Sequence, residues 1–272
     1  MFQRYIDFSI YSSAKIGTLH TINIIETPQD YFQLLQHSIP QIIGKANNLL
    51  ISPLAKNLIL LNKNFDYIKD CGDSLEVGAL TPSGKLFSYA KKHNLRGFEI
   101  LGELPGSIGG IIKMNAGLKE YEIKSILLGI LSIKHSHSLE FTAVEDLHLS
   151  YRNSEINTLI FAGIFKKEKG FDLNLVKTLK TMRSNQPKEP SFGSCFKNPP
   201  NNYAGFLIES IGLKGKKFGK SKSLYFSPKH ANFLINVGES SFEEAINLIN
   251  LAKEEVYKKH NILLQEEVKI LQ

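Results

Sequence analysis

The stretch GELPGSIGGIIKMNAG, Gly102 to Gly117, constrains this chain more than any other segment. It places five glycines and a proline in sixteen residues whose middle is apolar enough to be buried. A glycine inside a regular element costs roughly 0.5–1 kcal/mol relative to alanine. Paying it repeatedly marks a backbone that must approach a ligand or make turns a Cβ would block. A second glycine-bearing turn, IIGKANNLL at 42–50, also follows an apolar run. Successive N–H groups in such turns form anion-binding concavities, and glycine lets a phosphate come close. Neither turn has G-x-G-x-x-G spacing, so the dinucleotide fingerprint of a Rossmann fold is missing. GKKFGKS (215–221) has three residues between its glycines where a Walker A loop needs four, which argues against a P-loop.

Composition narrows the partners. With 272 residues, 42% hydrophobic and 22% charged, the chain has the profile of a soluble globular protein of one large or two ordinary domains. A net charge of +7 favours anionic partners. The lysines are dispersed, however, and only Arg4, Arg96, Arg152 and Arg183 are arginines, so the Arg-rich stripe of a nucleic-acid binder is not present. The first residues, MFQRYIDFSIYSSAK, hold no sustained apolar core of a signal peptide. The longest apolar run, SILLGILSI (125–133), is too short for a bilayer. Cys71 and Cys195 give neither a disulfide framework nor metal spacing. The expectation is a cytoplasmic protein, monomeric, with no metal, membrane or nucleic-acid partner.

Alternating α/β units fill the first third. HTINII (20–25), IPQIIG (39–44), NLILLN (57–62) and SLEVGA (74–79) read as strands. ETPQDYFQLLQHS (26–38), entered through Thr27 and Pro28, and TPSGKLFSYAKKHNL (81–95), with Leu86, Tyr89 and Ala90 on one face, read as helices. From Ile123 to Phe165 the pattern turns β-rich through IKSILLGILSI, HSLEFTA and TLIFAGIFKK. DLNLVKTLKTMRSNQP (172–187) is helical, with Leu175, Leu179 and Met182 at helical spacing, and Pro187 and Pro190 stop it. A shift of composition at KEKG (167–170) suggests a domain boundary. Near the C-terminus, Ser241 and Glu244 form a capping box before the stripe Phe242, Ala245, Ile249, Ala252, Val256. LLQEEVKIL (263–271) alternates like a strand, and periodicity cannot choose between Glu266 and Glu267 as a functional carboxylate.

Two further segments carry candidate chemistry. Arg152 in SYRNS is either a surface arginine or a guanidinium that pairs bidentately with a substrate carboxylate. FGSCFKNPP (192–200) offers Ser194, Cys195 and Lys197 in one loop. No G-x-S-x-G elbow supports a serine hydrolase. A hydroxyl beside a carbanion would instead donate a proton, with Cys195 a small apolar packing residue.

Taken in order, these segments resemble the UDP-N-acetylenolpyruvoylglucosamine reductase family. Leu101, Pro105, Gly106, Gly109, Gly110, Met114, Asn115, Ala116 and Gly117 match its L-A-G-I-P-G-x-x-G-G-x-x-x-M-N-A-G segment. IIGKANNLL is similar to its L-G-G-G-S-N-L-L turn, YRNS to Y-R-x-S, GSCFKNP to G-S-x-F-K-N-P and LLQEEV to L-E-P-E-V. NQP (185–187), AGFLIESIGLKG and HANFLIN also fit, so the resemblance covers nearly the whole chain. The short length matches the family's type II branch, without the long insertion that bears a substrate-capping tyrosine.

The resemblance implies an α+β fold: a two-subdomain FAD-binding α/β domain of the vanillyl-alcohol-oxidase/PCMH type at 1–168 (roughly 1–58 and 59–168), then a C-terminal α/β substrate-binding domain at 169–272. It implies non-covalent FAD against Gly44, Asn47, Asn48, Leu49, Pro105, Gly106, Ser107, Gly109, Gly110, Asn115 and Ala116, with side chains at Gly109 or Gly110 filling space the cofactor needs. NADPH is the implied hydride donor and a UDP-sugar the substrate, met by Tyr151, Arg152, Lys197 and Asn198. Arg152 and Glu267 would stabilise a carbanion or enolate, and Ser194 would protonate it. Departures are Lys45-Ala46 where the family has two glycines, Gly102-Glu103 for Ala-Gly, Leu118-Lys119-Glu120 for Ala-Tyr-Gly and Gln265-Glu266 for Glu-Pro. The alternative is another FAD-linked oxidoreductase of this fold acting on a sugar or hydroxy acid, which would need no Arg152–Ser194–Glu267 set.

Overall fold

The computed structural model describes residues 1–133 and 138–272; His137, at the start of the expected HSLEFTA strand, lies outside them. The chain divides into two compact units. The first comprises Met1–Arg4, Ile22–Lys45 and Asn57–Ser184, the second Tyr5–Thr21, Ala46–Lys56 and Asn185–Gln272. This division differs from a single cut at 168/169. Asp172 caps the Leu173–Met182 helix, whose Leu179 is fully buried in the first unit's core, so the helix stays with that unit. In the other direction, Leu50, Ala14 and Ile16 are buried in the second core, so two early segments join the C-terminal part. Burial, not chain order, decides membership.

In the first unit, Leu58–Leu61 pairs in parallel with Gln41–Ile43 and with residues 23–25 of the Leu19–Ile25 strand. The Pro28–Leu35 helix starts where expected: Thr27 and Asp30 form a reciprocal capping box with proline in the first turn. A five-stranded antiparallel sheet follows, in the order Glu140–Ala143, Leu127–Ser132, Ile160–Lys166, Ser74–Gly78, Ile68–Asp70. The Ser83–Lys92 helix buries Leu86 and Ala90, one turn apart. The short Ile108–Lys113 helix buries Ile108, Ile111 and Ile112 in the same core as Val77 and Phe165.

The second unit is a four-stranded antiparallel sheet, Ser191–Ser194, Phe233–Asn236, Leu224–Phe226, Lys217–Phe218, with the helices Ala204–Ser210 and Phe242–His260. The long helix has the expected Ser241–Glu244 capping box and buries Ala245, Leu248, Ile249, Ala252 and Val256. The strand expected over 263–271 forms only at Lys269–Leu271, pairing in parallel with Leu49–Ile51. Residues before it run irregularly because their main-chain groups bond loops instead of a ladder: Lys197 N–H donates to Gln265 C=O at 2.8 Å, and Glu267 N–H to Cys195 C=O at 2.8 Å. Among the described residues no helix is long and apolar enough to cross a membrane.

Candidate active site

The first unit brings the two glycine-bearing turns together. A Cβ on Gly44 would lie 2.8 Å from Ser107 Oγ, and one on Gly110 would lie 3.7 Å from the same atom. Gly44 and Gly110 thus both face the Ser107 hydroxyl. Gly110 is exposed and its Cβ position otherwise open, so a bound group has room there. Gly106 has φ +131°, a conformation that favours glycine. Among the described residues the N–H groups of Gly106, Ser107 and Gly110 donate to no protein acceptor, while Ile108 N–H donates to Thr81 C=O at 3.0 Å and Gly109 N–H to Ala79 C=O at 2.8 Å. Free N–H groups beside a space without Cβ atoms fit the phosphates of a dinucleotide cofactor. Gly109 is a glycine for a different reason from the one expected. Its Cβ would meet Ala79 Cβ at 2.9 Å, so it is small to pack helix on strand.

The substituted turn is left-handed at one position. Ala46 has φ +49° and is buried, so alanine accepts a left-handed conformation where the family carries glycine. Asn47 accepts from the Ser13 hydroxyl through its C=O at 3.2 Å, and Leu49 opens the strand paired with Lys269. Pro105 is exposed. Ala116 has both main-chain groups bonded, to Ile111 and Ile123.

Arg152 and Asn115 lie in one hydrogen-bonded cluster. Both have positive φ, +52° and +39°, conformations that cost about 1–3 kcal/mol and gather at functional sites. Arg152 Nη2 donates to Gly117 C=O at 2.5 Å and Nη1 to Asn115 C=O at 3.5 Å, so the asparagine–alanine–glycine turn orients the guanidinium. The guanidinium carbon also sits 5.4 Å from the Tyr151 ring centroid. Asn115, expected at the cofactor, is fully buried instead, and its amide donates to Glu122 and to Ser150 C=O, each at 3.1 Å. It braces the loop that carries Tyr151 and Arg152.

A second arginine, Arg183, stands within the field of this cluster. Burial lowers its pKa from the ordinary value and Arg152 adds to that, while Glu103 opposes both. The carboxylate at 103 thus favours the charged form of Arg183. Sequence reasoning noted the scarcity of arginine and did not single out Arg183.

In the second unit, Ser194 ends a strand with one extra residue: Ser191 pairs with Ile235, yet Ser194 pairs with Phe233. Gly193, at φ +81°, supplies this bulge. Such bulges redirect side chains beside active sites. The Ser194 hydroxyl is half-buried and makes no hydrogen bond with another described residue. Asn232, buried, clamps the segment after it: its Oδ1 accepts Phe196 N–H at 3.0 Å and its Nδ2 donates to Phe196 C=O at 2.7 Å. Each bond contributes about 0.5–1.5 kcal/mol net. Both Gly193 and Asn232 escaped the sequence reading; a glycine inside a strand was the available signal for the first.

Glu267 meets that segment through its backbone. Cys195 C=O accepts Glu267 N–H at 2.8 Å, and Asn48 Nδ2 donates to Glu267 C=O at 2.9 Å. Glu266, the other candidate, pairs with Lys253 at 2.6 Å. Cys195 is completely buried, and burial, with Glu266 and Glu267 adding, pushes its thiol well above the ordinary range, as suits a packing residue. Lys197 is half-buried, with its N–H on Gln265. Asn198 is exposed and accepts Ala204 N–H at 3.1 Å through its side chain, bonding the start of the Ala204–Ser210 helix.

Comparisons with known proteins identify the family. Residues 186–271 match the family model for the UDP-N-acetylenolpyruvoylglucosamine reductase C-terminal domain. The chain is 49% identical to the UDP-N-acetylenolpyruvoylglucosamine reductase of Helicobacter hepaticus over 98% of each chain, and 47% identical to that of Helicobacter pylori strain J99 over the full length of both. The crystal structure of the Thermus caldophilus reductase superposes with a TM-score of 0.87 at 26% identity, covering all of both chains. The fold is therefore the expected one, an FAD-binding α/β domain of the PCMH type with a substrate-binding domain. With full-length coverage at these identities, the chain belongs to the UDP-N-acetylenolpyruvoylglucosamine reductase family.

Proposed function

We propose a division of labour for the reaction this chain catalyses, the flavin-dependent reduction of UDP-N-acetylglucosamine enolpyruvate to UDP-N-acetylmuramate in peptidoglycan precursor synthesis. Gly44, Gly106, Ser107 and Gly110, with Asn47, Asn48 and Leu49, hold FAD non-covalently. Bound there, FAD would supply hydride transfer between NADPH and C3 of the enolpyruvyl group. Negative charge then develops at C2 beside the substrate carboxylate. Arg152 and Glu267 stabilise it, Arg152 by charge and Glu267 as a hydrogen-bonding carboxyl. The Ser194 hydroxyl delivers the proton to C2. Lys197 neutralises the substrate diphosphate, and Tyr151 and Asn198 flank it. The protein works in the cytoplasm.

One observation carries this reading. Glu267 N–H is bonded to the carbonyl of Cys195, the residue next to Ser194, so carboxyl and hydroxyl share one main-chain scaffold. The test is an anaerobic visible spectrum of the purified protein, taken after NADPH and again after UDP-N-acetylglucosamine enolpyruvate. Flavin bands should bleach with the first and return with the second. Bands that bleach and stay bleached would move the substrate elsewhere, and NADH bleaching as readily as NADPH would overturn the cofactor assignment.

A further inference from the structure

We infer that Asn48 is a positioning residue for Glu267, setting the direction of its carboxyl through the main chain; this rests on the catalytic role given to Glu267 above. The direction of a Cα–Cβ bond is fixed when both flanking peptide planes are fixed. On the N-terminal side of Glu267, its N–H donates to Cys195 C=O at 2.8 Å. On the C-terminal side, the peptide joining Glu267 to Val268 has its C=O held by Asn48 Nδ2 at 2.9 Å and its N–H on Cys195 C=O at a weaker 3.3 Å. The Asn48 amide is the shorter restraint on that second plane.

Asn48 reinforces it from the backbone. Its C=O accepts Lys269 N–H at 2.9 Å, so side chain and main chain of one residue bracket Val268, which is 2% exposed in the second core. The strand beyond is only three residues long, closed by Ser52 N–H on Leu271 C=O at 2.8 Å. Such a short strand resists twisting weakly, so the bracket matters more. Asn48 also lies within the glycine-bearing turn at 42–50, so a change in that turn is passed to the peptide beside the carboxyl.

The test compares Asn48→Ala, Asn48→Asp, Glu267→Gln and the double variant Asn48→Ala/Glu267→Gln. Misplacing a reacting group by about 1 Å costs up to roughly a hundredfold in rate. All four variants are assayed at saturating FAD with flavin occupancy checked by absorbance, because Asn48 also belongs to the cofactor set. Asn48→Ala should then lower kcat about 10- to 100-fold with KM within about threefold. In the flavin-free protein, amide hydrogen exchange of residues 265–269 should quicken while residues 233–236 keep their protection. Asn48→Asp has the same shape but lacks the donor when ionised, so its activity relative to wild type should recover as pH falls through the carboxyl range. It carries the test if the alanine variant folds poorly. The double variant should be no slower than Glu267→Gln, because Asn48 acts through that carboxyl. Multiplying losses in the double variant, or a kcat for Asn48→Ala within about twofold of wild type, would overturn the inference. Wild-type kcat in Glu267→Gln would instead overturn the role of Glu267 itself.

Discussion

Alanine at Gly110 and alanine at Gly109 should act in opposite directions on stability, although the two glycines are adjacent in one short helix. Among the described residues, apart from the helix's own backbone, a Cβ at Gly110 would meet Ser107 Oγ at 3.7 Å, an ordinary contact. Exchanging a helical glycine for alanine then contributes about 0.5–1 kcal/mol. In a chain of 272 residues that raises the melting temperature of the flavin-free protein by roughly 1–4 °C. A Cβ at Gly109 would stand 2.9 Å from Ala79 Cβ and 3.2 Å from its carbonyl oxygen. The helix cannot retreat, because Gly109 N–H is bonded to that same carbonyl at 2.8 Å. Overpacking costs about 1–3 kcal/mol, and the propensity gain of about 1 kcal/mol offsets part of it, leaving a net loss of up to about 2 kcal/mol. On flavin the order changes. The Gly110 methyl enters the space assigned to the cofactor, and a clash of about 1–3 kcal/mol weakens binding roughly 5- to 150-fold. The assays are thermal melting of flavin-free protein and titration with FAD by fluorescence quenching. Wild-type flavin affinity in Gly110→Ala would refute the cradle, and a lowered flavin-free melting temperature would refute the packing argument.

Three other outcomes are expected. Ser194→Ala should leave bleaching by NADPH at its wild-type rate and slow the return of flavin colour with substrate by about 10²–10⁴-fold, read by anaerobic stopped flow. Cys195→Ala should keep turnover within a few-fold of wild type while lowering the melting temperature, since the buried thiol fills core volume and is too far from ionisation to react. Burial lowers the pKa of both His20 and His230 below the ordinary imidazole value. The unfolded chain therefore binds protons first as pH drops below about 6.5. The stability these groups confer is complete above that value and is lost as pH falls toward their depressed folded pKa values. Replacing both with asparagine should flatten the melting temperature between about pH 7 and 5; an unchanged slope would rule these histidines out as its source.

Local pattern determined much of this protein. Periodicity and caps located the helices at Pro28–Leu35, Ser83–Lys92, Leu173–Met182 and Phe242–His260, because a capping box or an apolar stripe is written within a few neighbouring residues. Glycine density marked the 102–117 stretch for the same reason, since a backbone without Cβ atoms is a local property, while one glycine after an apolar run marked the turn at 42–50. Partners across the chain were a different matter. Sequence spacing did not reveal that Gly44 and Gly110 meet over Ser107, or that Gly109 is small for Ala79. Alternation left Glu266 and Glu267 equivalent and the family resemblance chose Glu267; the fold gives them different partners, Glu266 on Lys253 and the Glu267 backbone between Cys195 and Asn48. The strand expected over 263–271 shortened to three residues because its main chain found those loop partners. Residues 46–56 joined the C-terminal unit because Leu49–Ile51 pairs with Lys269–Leu271, more than two hundred positions away in sequence. Periodicity says which face of an element is buried. What it is buried against, and which carboxyl is thereby aimed, is decided when distant segments pack.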